Sequence, residues 1–195
     1  MNTEDISYTE RLMALSGSRL RRFLNVQAPY GWNLRRLVRG EVLDIGCGIG
    51  RNLAHVHGQG VGVDHNPSSV QVCAERGLRA YTPDIFLQSG DAQRTFGTLL
   101  FAHVVEHMTV VEAENLIDTY LPFVADDGQV IIICPQERGY RSDKTHVHFF
   151  AQSALVDLVQ GRGLRVVKIG SFPLPRLFGR VFAHNETVVV ACRRS

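Results

Sequence analysis

The sequence predicts an α/β fold, a doubly wound sheet of seven strands with helices on both faces. Three observations carry this. Residues 42–50 read VLDIGCGIG, an apolar run that meets a carboxylate and passes into glycines at every second position. A second apolar run, GVGVD at 60–64, follows one short polar stretch. Beyond it, apolar runs of strand length alternate with capped helical stretches, and two strand-like runs close the chain.

Taken in order, residues 1–7 are polar and read as loose chain. Tyr8 to about Val26 carries Leu12, Leu15, Leu20, Phe23 and Leu24, and reads as one helix broken near Gly17, or two short ones. PYGWN, at 29–33, breaks the helical pattern, with Trp32 as a core anchor. Arg19, Arg21, Arg22, Arg35, Arg36 and Arg39 make this end basic. A solvated helix face accounts for them; an acidic or phosphate-bearing substrate steered to this end is the sharper alternative.

Val42 and Leu43 suit a buried strand that brings Asp44 to its end. Gly46, Gly48 and Gly50 permit positive φ and close approach of a ligand to the backbone. Arg51 and Asn52 open a helix, whose free N–H groups favour an anionic ligand group. Strand, glycine turn and helix together form a small-molecule site at the carboxyl end of a strand; a tight connection without a ligand is the plainer alternative. Asp64 ends the next strand, eighteen residues after Gly46. That is close to the roughly twenty residues at which a second-strand carboxylate reaches a ribose diol.

Asn66 suits an N-cap, Pro67 the first helical position and Gly77 the stop, so a helix spans Pro67 to about Arg76. Leu78 to Tyr81 is a short third strand. Asp84, after Pro83, either caps a turn or accepts from a ligand. Thr98 to Ala102 is the fourth strand and ends at His103. Thr109 and Glu112 form a capping box for a helix to about Tyr120. Asp126, Asp127 and Gly128 make a turn before the fifth strand, Gln129 to Cys134. Ser153 caps a helix ending near Gly163, and Leu164 to Ile169 and Thr187 to Cys192 are the last strands.

Composition narrows the function. A length of 195 residues suits one domain, here 1–195, with 1–39 as an N-terminal helical segment and 40–195 as the core. The formal charge of +2 demands neither a nucleic-acid nor a membrane partner. Cys47, Cys73, Cys134 and Cys192 form no CxxC pair, which argues against a zinc knuckle or disulfide scaffold and suits a reducing cytosol. The N-terminus has no apolar signal-like run, and no stretch approaches a membrane span. A cytoplasmic, soluble protein is expected; nothing speaks to its oligomeric state.

VLDIGCGIGRNL resembles the first motif of the class I S-adenosylmethionine-dependent methyltransferases. Asp64 resembles their acidic residue at the end of the second strand, and LLFAHVVEHM, at 99–108, their fourth-strand motif, as in methyltransferases similar to those of quinone biosynthesis. The resemblance runs from about residue 30 to the C-terminus. It implies a Rossmann-like sheet whose last strand is antiparallel and inserted between the fifth and sixth. It implies S-adenosyl-L-methionine as cofactor, held by Asp44, Gly46, Cys47, Gly48, Gly50, Asp64, His65, Asp84 and His103. It also implies an N-terminal segment that covers the cofactor, with Tyr30 and Asn33 as pocket residues. One departure stands out: relatives place an Asp after the aromatic residue before the fourth strand, where Gly97 follows Phe96.

Methyl transfer from a sulfonium needs the nucleophile held about 3–3.5 Å from the methyl and water kept out. A base is required only if the nucleophile must lose a proton. His103 and His146 are the catalytic candidates, and Tyr140, His146 and His148 the candidates for contact with a small-molecule substrate. Glu106 and His107 follow His103 by about a turn and read as structural, Glu106 above all. The stretch 136–150, QERGYRSDKTHVHFF, reads as a substrate-covering loop anchored by Phe149 and Phe150. Its histidines serve either as a base or as part of that anchor. H-x-H with Asp143 could ligate zinc, but a fourth ligand has no source and the chemistry needs no metal, so none is expected. Two rivals remain. A nicotinamide-dependent oxidoreductase would prefer G-x-G-x-x-G. A non-catalytic S-adenosylmethionine-binding module could use the same fold.

Overall fold

Four consecutive buried residues, Val42–Ile45, form β1 and carry Asp44 to the glycine turn. The computed structural model describes residues 20–193, and the chain divides into two compact units, 1–94 and 95–195.

The first unit begins with α1 (Leu20–Leu37) and continues through β1, α2 (Arg51–His55), β2 (Gly60–Val63), α3 (Pro67–Glu75), β3 (Ala80–Tyr81) and α4 (Pro83–Gln88). β1 pairs with β2, and β2 with β3, all parallel. The expected break at PYGWN does not occur, because α1 runs through Pro29 and Gly31. Gly31 is where this helix approaches α2: a Cβ there would lie 2.7 Å from His55 Nδ1. Close packing thus uses a residue that reads locally as a breaker. Trp32 is not the expected core anchor. It is 50% exposed with the Arg36 guanidinium 4.3 Å over its ring, while Leu34 and Leu37 are buried in its place. Residues 8–19 of the expected first helix lie outside the described residues.

Asn66 caps α3 as expected, its side chain accepting from the Ser68 N–H at 3.0 Å. Pro83 starts α4 where only a turn was expected, and Asp84 lies in its first turn. Glu41 and Asp91 are bridged by Arg79 and Arg94, and the Tyr81 hydroxyl donates to Asp91 at 3.0 Å. This network ties residues far apart in sequence.

The second unit contains β4 (Phe96–Ala102), α5 (Val110–Tyr120), β5 (Val124–Pro135), α6 (Glu137–Ser142), α7 (Gln152–Gln160), β6 (Leu164–Phe172) and β7 (Glu186–Arg193). β4 and β5 are parallel, and β7 is antiparallel to both β5 and β6. β4 and the second half of β5, residues 130–134, are nearly continuous apolar runs, as strands covered on two faces require. The capping box of α5 is complete: the Thr109 N–H donates to Glu112, and the Glu112 N–H donates back to the Thr109 hydroxyl.

Three expectations are corrected. The turn at Asp126–Gly128 is an irregularity inside β5: Phe96 pairs with Val124 but Thr98 pairs with Gln129, so extra residues bulge out. Ser153 does not cap α7. The helix starts at Gln152 after Ala151, directly behind the buried Phe150, and turns Leu155, Leu158 and Val159 inward. The stretch 136–150 opens with α6, not with open loop. Its start is held by partners distant in sequence. Buried Gln136 donates to Ser171 and to the Glu186 carbonyl and accepts from Asn185, while Glu137 pairs through both oxygens with Arg176.

The seven strands run in the order β3-β2-β1 in the first unit and β4-β5-β7-β6 in the second. The last strand is antiparallel and inserted between β5 and β6, as expected. Among the described residues, no helix is long and apolar enough to cross a membrane.

Candidate functional site

The glycine turn forms where β1 ends. Gly46, Gly48 and Gly50 have φ of 73°, 52° and 78°, the left-handed region that glycine enters without strain. The Gly46 and Cys47 N–H groups donate to the Val63 carbonyl at the end of β2, at 2.8 and 3.2 Å. The Gly48 N–H donates to Asp64 Oδ2 at 2.7 Å, and the Asn66 N–H donates to Asp64 Oδ1 at 2.9 Å. Asp64 is therefore fixed by two backbone donors on opposite oxygens, and each oxygen keeps a lone pair. His65, half exposed, places Nδ1 3.7 Å from Asp64 Oδ1.

Asp44 is fully buried. Its Oδ1 accepts from Asn52 Nδ2 in the first turn of α2, at 3.3 Å, and its Oδ2 has no hydrogen-bond partner. Burial pushes the carboxyl pKa up to about 7; the Asn52 hydrogen bond opposes this and the Asp64 charge adds to it. A buried carboxylate oxygen without a donor is a place for a ligand's donor. Cys47 and Cys73 are buried and free, and both thiols face the Gly48 carbonyl, at 3.6 and 3.3 Å. The Cys73 thiol, together with burial, pushes the Cys47 thiol up and keeps it protonated.

Thus the structure brings Asp44, Gly46, Cys47, Gly48, Gly50, Asp64 and His65 together. Asp84 is exposed in the first turn of α4, where a carboxylate complements the helix N-terminus. Asn52 was missed; its one local signal was a polar side chain just after the turn.

In the second unit, His103 follows β4 with φ 58°, and its N–H donates to Ile133 on β5 at 2.9 Å. A non-glycine residue there is strained and persists only when its surroundings hold it. The surroundings are two carboxylates: Nε2 lies 2.8 Å from Glu186 Oε1 on β7, and Nδ1 lies 3.3 Å from Glu106 Oε1. Desolvation alone would lower the His103 pKa, but Glu186 and Glu106 outweigh it and raise it to about 10. The ring's exposed edge, 46% of the side chain, lets solvent screen both pairs. His103 is a cation at neutral pH, hence a hydrogen-bond donor and not a base. Burial pushes Glu106 up, but the His103 cation prevails and holds it below the ordinary carboxylate range.

His146, His107 and Tyr140 form one aromatic stack. The His146 ring lies flat against Tyr140 at 5.3 Å and tilted against His107 at 4.8 Å. The His146 side chain is only 9% exposed, and Nδ1 meets the Tyr140 carbonyl at 2.7 Å. His148 instead packs edge-on against Phe150, at 4.7 Å. Glu186 was missed because it stands 83 residues from His103, and no local pattern marks it.

Residues 15–169 match the family model described as methyltransferase domain. A comparison by sequence with characterised proteins finds no match. Among solved structures, the chain is similar to a SAM-dependent methyltransferase from Archaeoglobus fulgidus, with TM-score 0.66 and 19% identity over 87% of this chain and 98% of that one. It is similar also to magnesium protoporphyrin IX methyltransferase from Synechocystis PCC 6803 with bound SAH, with TM-score 0.70 and 15% identity over 98% and 97%. A third is a glycopeptide N-methyltransferase complexed with S-adenosyl-L-methionine, with TM-score 0.65 and 12% identity over 85% and 93%.

Proposed function

This chain belongs to the methyltransferase domain family, and from that premise we propose that it transfers a methyl group from S-adenosylmethionine to a small-molecule substrate. The observation that carries the cofactor assignment is the pair of carboxylates around the glycine turn. Asp64 is oriented by the Gly48 and Asn66 N–H groups and keeps acceptor capacity for a ribose diol. Asp44 Oδ2, buried and without a donor, suits the ammonium of the methionine half. Gly46, Cys47, Gly48 and Gly50 bring backbone close to the ligand, with His65, Asp84 and His103 at its margins. SAH and S-adenosyl-L-methionine are bound in two of the structural neighbours, which supports the same ligand here.

The cofactor supplies a methyl on a positively charged sulfur, already activated for displacement. The chain's own part is to bind, orient and exclude water. His103 follows β4 and Tyr140, His146 and His148 follow β5, and ligands of open α/β sheets bind beyond such carboxyl ends. Tyr140, His146 and His148 are accordingly proposed to face the substrate, and His103 and His146 to act on it by positioning, neither ring serving as the base. His103, protonated at neutral pH and paired through both ring nitrogens, contributes a positive charge and is no base. Residues 1–39 serve as the segment that covers the cofactor, within one functional domain. Four free cysteines suit a cytoplasmic setting, and the modest charge requires no nucleic acid.

A ligand that binds only the native state raises the melting temperature by mass action. S-adenosylhomocysteine is expected to raise it and NAD(P) to leave it unchanged. A shift with NADPH and none with S-adenosylhomocysteine would overturn the assignment in favour of an oxidoreductase. A shift with S-adenosylhomocysteine but no methylation across a broad substrate panel would favour a non-catalytic binding module.

A further inference from the structure

We propose that Glu106, His107 and His146 form a binding site for one divalent cation of the zinc type. A carboxylate oxygen of Glu106 and one ring nitrogen from each histidine lie within 4.8 Å of one another. His146 Nε2 is 4.0 Å from Glu106 Oε1. The three residues come from two stretches, the turn after β4 and the extended chain after α6. The backbone fixes these stretches to each other: the Val147 and His148 N–H groups both donate to the Glu106 carbonyl, at 2.8 and 3.2 Å.

Hydrogen bonding on the outer side of each ring sets its tautomer. His146 Nδ1 faces the Tyr140 carbonyl at 2.7 Å, which can only accept, so the proton is on Nδ1 and Nε2 presents a lone pair. His107 Nδ1 faces the Thr145 carbonyl at 3.2 Å and the Thr145 hydroxyl at 3.1 Å. That hydroxyl gives its own proton to Asp143 at 2.8 Å, so both oxygens accept and His107 Nδ1 is the donor. An imidazole whose far N–H is held by a backbone carbonyl is the usual state of a metal-ligating histidine.

Glu106 supplies the independent observation. Its side chain is 1% exposed, and neither carboxylate oxygen has a hydrogen-bond partner. Burying a carboxylate without donors is strongly unfavourable. The cation beside it is His103, whose Nδ1 is 3.3 Å from Oε1 and whose Nε2 is committed to Glu186. Two imidazole lone pairs and a buried carboxylate whose oxygens accept no hydrogen bond face one another, which is the donor set of a cation site.

Two nitrogens and one carboxylate suit zinc with an open fourth position for water, whereas magnesium and calcium prefer oxygen ligands. Around a tetrahedral zinc with bonds of about 2.1 Å, ligand atoms stand about 3.4 Å apart. Side-chain movement of about an ångström closes the observed separations to that value. The H-x-H pair is not the ligand set: His148 packs on Phe150, and His107 takes its place.

The test uses full-length protein stripped with a chelator, then given Zn²⁺ and desalted, with zinc content measured by mass spectrometry. Wild type is expected to keep about one zinc per chain and to gain melting temperature on zinc addition. Co²⁺ should give the intense visible bands of a four-coordinate site. Glu106→Gln, which keeps the shape, and His146→Ala should weaken zinc binding at least tenfold and lose the cobalt bands, and His148→Ala should retain both. If Glu106→Gln fails to fold by circular dichroism, His107→Ala decides in its place. Zinc below about a tenth per chain in wild type, or retention unchanged by Glu106→Gln, overturns the site. Equal loss in His148→Ala overturns it too, by showing diffuse histidine binding. All readouts are independent of S-adenosylmethionine, so failure here leaves the methyltransferase assignment untouched.

Discussion

Replacing Asp44 by asparagine removes a buried charge while keeping the side chain's shape. The carboxyl is raised from 3.8 to about 7 in the folded protein, chiefly by burial. Such a group binds a proton more tightly in the native state than in the unfolded one. Its effect on stability is absent below about pH 4, where both states are protonated. Between pH 4 and pH 7 the unfolded chain releases the proton first, and stability falls as pH rises. Above pH 7 the full cost applies, about 4 kcal/mol. At pH 5.5 it is roughly half of that, about 2 kcal/mol. The Asp44→Asn variant has no such dependence. Its amide can keep a carbonyl toward Asn52, and any unsatisfied amide hydrogen it leaves costs the same at every pH. The stability difference between Asp44→Asn and wild type should therefore shift in the variant's favour by about 2 kcal/mol between pH 5.5 and pH 8. Urea denaturation of the cofactor-free proteins at both pH values measures it. The same variant should bind S-adenosylhomocysteine roughly 10- to 150-fold more weakly, the loss of a hydrogen bond to a charged group. A stability difference that is the same at both pH values would refute the reasoning, because Asp44 would then titrate alike in folded and unfolded chains.

Two further substitutions test the turn. Asp64→Ala removes the acceptor for the Gly48 and Asn66 N–H groups as well as the proposed ribose contact. Calorimetric titration should show cofactor binding weakened by about 1.5–3 kcal/mol, with a lower melting temperature; wild-type affinity in a folded variant would reject the ribose role. Gly50→Ala places a Cβ at φ 78°, 2.5 Å from Leu78 Cδ1 and 3.0 Å from Cys73 Sγ. Denaturant midpoints should fall by an equivalent of about 1–3 kcal/mol, and an unchanged midpoint would mean that the turn relaxes freely.

Features decided within a few residues were legible from the amino-acid order alone. VLDIGCG implied strand, carboxylate and turn because apolar burial and glycine backbone freedom act locally. Asn66 before Pro67 and Thr109 three residues before Glu112 implied helix starts, because a cap bonds only its own first turn. The Gly46 to Asp64 spacing foretold that the second-strand carboxylate would meet the turn, since parallel pairing of β1 and β2 brings their ends together. The rest depended on partners that no local pattern names. α1 continues through Pro29 and Gly31 because packing against His55 outweighs the propensity of those residues to end a helix. α6 forms because Gln136 and Glu137 find Ser171, Arg176 and Asn185 at the far end of the chain. His103 is charged because Glu186 lies across the sheet, and His107, not His148, faces His146 because the chain after α6 bonds to the Glu106 carbonyl. Periodicity and capping are written into neighbours along the chain. The protonation, orientation and company of a side chain are set by desolvation and by contacts that exist only once distant segments have been brought together.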